Sequence, residues 1–77
     1  MDANKIEELQ EKYKKQFQNL DSEGLRQIST DRSKAEEYAK KGIETVEPKN
    51  LNYDYIQTVA NTMQLVAKML LEERSKN

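Results

Sequence analysis

Residues 55–67, Tyr55-Ile56-Gln57-Thr58-Val59-Ala60-Asn61-Thr62-Met63-Gln64-Leu65-Val66-Ala67, carry no charge. The chain as a whole is 35% Asp, Glu, Lys and Arg, so this gap decides the fold. On an α-helix, Ile56, Val59, Ala60, Met63, Val66, Ala67 and Leu70 share one face, the stripe of an amphipathic helix laid on a core. Asn52 is placed to cap its N-terminus. The helix is expected over about 53–74, roughly 33 Å long at 1.5 Å per residue.

The opposite side should be charged if it met water. It carries Thr58, Thr62, Leu65 and Met69, again at spacings of four, three and four. A helix apolar on more than one side is normally buried on more than one side. A second chain could cover the back face, or the fold could wrap its central helix, and scattered exposed apolar residues are ordinary. The reading adopted is a second chain, with Thr58, Thr62, Leu65, Met69 and Tyr55 as the candidate protein interface. Tyr53 and Tyr55 flank Asp54. Tyrosine is frequent at interface hot spots, but it also packs helix ends with its hydroxyl in water. Met63 is assigned to the core. Met69 fits either role, since methionine adapts to partner surfaces and fills core gaps alike.

Upstream of Asn52, Lys49-Asn50-Leu51 reads as a linker. Pro48 ends the preceding helix, because the residue before a proline is pushed out of the α region. That helix is expected over about 31–46, with a stripe of Ala35, Tyr38 or Ala39, Ile43 and Val46. Ser29-Thr30-Asp31 offers its N-cap, and Ser33 to Glu36 has capping-box spacing. Gly42 weakens it locally and allows a close helix contact. Leu25 and Ile28 fit a short helix over 22–28. A single helix over 22–46 would put Arg32 inside a buried stripe, so a break at about 29–31 is favoured. Asp21-Ser22-Glu23-Gly24 reads as a turn. The first helix is expected over about 4–20, because Ile6, Leu9, Tyr13, Phe17 and Leu20 recur three and four apart. Glu8–Lys12 and Glu11–Lys15 support its wet side.

The expected fold class is therefore all-α, a three-helix bundle packed into a homo-oligomeric bundle. At 77 residues the chain is one helical domain, with residues 75–77 expected to fray. So short a chain is marginally stable without help. It has no Cys and no His, which removes disulfides and the common zinc sites. Regular helix packing and self-association remain.

The same absences bear on function. Catalysis needs a nucleophile, base or metal with a positioned partner. The adjacent pairs Glu7-Glu8, Glu36-Glu37 and Glu72-Glu73 do not face each other on a helix. Glu7 and Glu11 share an exposed face, which reads as a solvated surface rather than a metal site. No phosphate loop or EF-hand pattern occurs. No catalytic residue, cofactor or metal is expected, and the chain is not expected to be an enzyme.

Charge is balanced, 13 basic residues against 14 acidic, with no basic arm or acidic tail. Nucleic-acid binding and DNA mimicry are not expected from that balance. One segment supports a rival. Residues 25–42, Leu25-Arg26-Gln27-Ile28-Ser29-Thr30-Asp31-Arg32-Ser33-Lys34 through Gly42, resemble a helix-turn-helix. The resemblance implies that Arg32, Ser33 and Lys34 would reach the major groove. Against it, Asp31, Glu36 and Glu37 in the same helix would face phosphates, and the turn glycine is missing.

No apolar leader opens the chain, and no run approaches the roughly 20 apolar residues of a membrane span. A membrane role is not expected, and the expected location is cytoplasmic. The Lys-, Asn- and Glu-rich composition with an apolar last helix resembles small cytoplasmic proteins of low-GC bacteria and their phages. The functional expectation is a small non-enzymatic protein–protein interaction module. It would be a self-associating regulator or inhibitor of a larger protein, or a subunit that assembles with its own copies.

Overall fold

The computed structural model describes residues 3–76. They form four α-helices: α1 Ala3–Phe17, α2 Ser22–Thr30, α3 Arg32–Val46 and α4 Tyr53–Ser75. A single 3-10 turn, Pro48–Asn50, links α3 to α4. The expected count of three is therefore corrected to four, because the segment over 22–28 is a full helix.

Asp31 makes the break. Its backbone is extended, its N–H closes α2 on the Gln27 carbonyl, and its carboxylate accepts from the Lys34 N–H to open α3. One residue thus ends one helix and caps the next. Asp21 caps α2 in the same way, accepting from the Gly24 N–H at 2.7 Å. Asn52 caps α4 as expected, accepting from the Tyr55 N–H at 2.9 Å. Helix α1 stops at Phe17, short of the expected Leu20. Helix α4 continues through Ser75, and Asn77 lies outside the described residues.

Side-chain bonds along α4 give the topology. Arg74, near its end, reaches the α1–α2 turn. Gln64, at its middle, reaches the last carbonyls of α2. Tyr55, at its start, reaches Glu47 just past α3. So α2 and α3 run in series antiparallel to α4, and α1 runs parallel to it. Helices α1, α2 and α3 all pack on α4, while α1 and α3 scarcely touch each other.

One core joins the four. It takes Leu9, Tyr13 and Phe17 from α1, Leu25 and Ile28 from α2, and Ala35, Ala39 and Ile43 from α3. Helix α4 gives Tyr55, Val59, Ala60, Met63, Val66, Ala67 and Leu70. Ala39 takes the inward place on α3, and Tyr38 and Val46 stay 50% and 64% exposed. The two alanines bring α3 close to α4, since they add nothing beyond the Cβ.

The Cα envelope measures 40 × 25 × 17 Å. Subtracting a helix radius of about 2.3 Å at each side leaves about 12 Å between outer axes in the thin direction. That is about one interval of helix packing, and the exposed residues Asp54, Asn61, Leu65, Lys68 and Glu72 mark the side of α4 that the other helices leave open. Among the described residues, no helix is long and apolar enough to cross a membrane.

Candidate functional site

The back face of α4 divides into a covered part and an open part. Tyr55 and Thr62, both expected at an interface with another chain, are buried within this one at 8% and 5% exposure. Thr62 donates to the Thr58 carbonyl at 3.0 Å, which satisfies its hydroxyl inside the helix. Thr58 and Met69 are half-buried. Leu65 is 46% exposed. Wrapping by the chain's own helices therefore accounts for part of the second apolar stripe.

The open part is a shallow surface built by Ile6 and Gln10 of α1 with Thr58, Asn61, Thr62 and Leu65 of α4. None of these side chains is charged. Asp54 and Lys68, both exposed, lie at either end of the open strip of α4, seven residues to each side of Asn61.

Tyr55 has another task. Its hydroxyl donates to Glu47 at 3.0 Å, and Asn50 donates to the same carboxylate at 2.7 Å. The Asn50 bond, then the Tyr55 bond and the charges of Lys5 and Lys12, hold the Glu47 carboxyl below its ordinary range against a partial desolvation. Burial, then the bond to Glu47, pushes Tyr55 up to about 12. The cluster fastens the α3–α4 connection.

A second surface was not legible as such in the sequence. Because α1 and α3 do not close on each other, a groove of about 410 Å³ opens between them. Phe17, Ile28 and Met63 line it from three different helices, with Tyr38 and Val46 on its α3 side. The available signal was Tyr38, which an α3 stripe of Ala35, Ala39 and Ile43 leaves at its side; Val46 lies on that stripe but is the last residue of α3, and stays exposed. Gly42 also faces this space, where an added Cβ would meet only the Tyr13 hydroxyl, at 3.6 Å.

The residues of the helix-turn-helix resemblance are engaged differently from that motif. A single residue, Asp31, joins α2 to α3, where the motif uses a turn of about three to four residues. Arg32 turns toward α4: it donates to Gln64 at 2.9 Å and to the Gln57 side chain, and pairs with Glu36 at 3.5 Å. Lys34 donates to Gln27 at 2.9 Å. Ser33 is exposed. Gln57 completes the network by donating to Glu36 at 2.7 Å. These bonds explain both glutamines of residues 55–67, because they tie α4 to the α2–α3 junction.

No protein-family model matches the chain, and no curated protein or solved structure shows significant similarity to it.

Proposed function

We propose that the chain is a non-enzymatic helical interaction module that pairs with a second copy of itself through the open side of α4. The observation that carries this reading is the uncharged surface of Ile6, Gln10, Thr58, Asn61 and Leu65 on a chain that is 35% charged. A surface without charge can meet its own copy with no like-charge penalty. Twofold pairs are the commonest assemblies. An antiparallel α4 pair centred on Asn61 would set Asp54 opposite Lys68 of the partner subunit, adding attraction at both ends. A small regulator or inhibitor of a larger cytoplasmic protein, of bacterial or phage origin, fits such a module.

Leu65→Lys tests it. The exposed position accepts lysine without disturbing the core, so helicity should persist while the pair dissociates. Unchanged assembly in Leu65→Lys would remove the reading.

A further inference from the structure

The groove between α1 and α3 is a different surface with a different chemistry. Its floor is apolar, with Phe17, Ile28 and Met63 buried at 5%, 2% and 1% exposure. Its two rims are basic: Lys12 stands on α1, its ammonium 5.5 Å from the centre of the Tyr13 ring, and Lys41 stands on α3. Among the described residues no carboxylate lines it, although Glu47 lies near enough to Lys12 for the two charges to attract.

We infer that this groove docks an amphipathic helix of a different protein, one with an apolar ridge flanked by acidic residues. The dimensions fit. The groove runs from Lys12 to Phe17 on α1, ending at Leu20 just past that helix, and from Tyr38 to Val46 on α3, the latter eight residue steps, or about 12 Å. Helix-in-groove docking uses anchors at i, i+4 and i+7, which span about 10.5 Å. The anchors seat above this floor, where half-buried Leu20 and exposed Tyr38 and Val46 offer the apolar surface they cover. Charge selects the occupant. A second copy laid groove to groove would bring the two lysine pairs together, whereas a helix with glutamates beside its ridge would meet Lys12 on one flank and Lys41 on the other. Self-association through the uncharged side of α4 leaves this groove open, so one molecule can do both.

The test uses the isotope-labelled full chain and two synthetic helical peptides of about 14 residues, four turns. Both carry leucines at i, i+4 and i+7. One has glutamates beside the leucines and the other has lysines. The glutamate peptide should bind about tenfold more tightly, as two exposed charge pairs change from attraction to repulsion. Its amide shifts should centre on Phe17, Ile28, Tyr38 and Val46. Lys12→Glu with Lys41→Glu should reverse the preference. Equal binding of the two peptides, shifts centred elsewhere, or no binding of the glutamate peptide would overturn the inference. Repeating the titration in Leu65→Lys separates this surface from the self-association surface, since the groove should bind equally well there.

Discussion

The Arg74 guanidinium donates to the Leu20 carbonyl at 2.7 Å, across 54 residues of chain. It also reaches the Gln18 carbonyl and the Ser22 hydroxyl, each at 3.3 Å. One cation thus answers carbonyls just past the end of α1, which has no glycine to finish it, and does so from the last turns of α4. The position suits a cation, because the C-terminus of a helix is its negative end.

Arg74→Ala should therefore destabilise the fold by about 1–2 kcal/mol, the scale of losing hydrogen bonds from a charged donor at a partly exposed site. In a domain of this size that lowers Tm by roughly 5–15 °C. Urea unfolding of the two proteins measures it. Arg74→Lys should recover only part of the loss, because an ammonium cannot span three acceptors as a planar fork does.

Arg32→Ala should cost about 1–3 kcal/mol in the same experiment, since Gln57 and Gln64 each lose a donor. The half-exposed Arg32–Glu36 pair, at 3.5 Å, contributes little of this on its own. The structural role predicts that 0.5 M salt, roughly, leaves most of the difference in place, because hydrogen bonds to neutral amides are weakly screened. A difference abolished by salt would contradict it.

Gly42→Ala should stabilise the chain by about 0.5–1 kcal/mol, the helix propensity gain. The new Cβ meets the Tyr13 hydroxyl at 3.6 Å, an ordinary contact. Gly24→Ala should gain less, because its Cβ would lie 3.2 Å from the Asp21 oxygen that caps α2. Comparing thermal midpoints of the two variants gives the ordering directly.

The Glu47 carboxyl titrates below its ordinary value of 4.5 in the folded chain. A lowered carboxyl stabilises the fold above that value and loses its contribution as pH falls through the folded pKa. Tyr55 is raised to about 12, so its share is complete below the ordinary 10.0 and lost as pH climbs through 12. Urea midpoints between pH 2 and 6 should fall more steeply for the wild type than for Glu47→Gln. Tyr55→Phe should flatten the alkaline limb.

Much of the fold was legible because it follows from periodicity and caps. The α4 stripe, the Asn52 cap, the stop at Pro48 and the break before Arg32 all depend on neighbours within one turn. The two proposed interaction surfaces depend on which helices leave gaps, and spacing is silent on that. Tyr55 and Thr62 belong to the same stripe as Leu65, yet α1 and the Glu47 connection cover the first two and leave the last open. Arg32 looked like a groove-reading residue at a helix start, but its partners Gln57 and Gln64 lie 25 and 32 residues away. Tyr38 and Ala39 were alternatives for one place in the α3 stripe. The choice of Ala39, set by close packing on α4, is what leaves Tyr38 beside the groove.

The central claim, pairing through the open side of α4, is tested most directly by light-scattering mass on a sizing column. The column is run over about a hundredfold range of concentration, with circular dichroism on the same samples, because mass action makes a true pair concentration-dependent. The account predicts a helical species that moves toward twice the 9.0 kDa chain mass as concentration rises, and that stays at the chain mass in Leu65→Lys. A helical wild-type monomer across the whole range would contradict it.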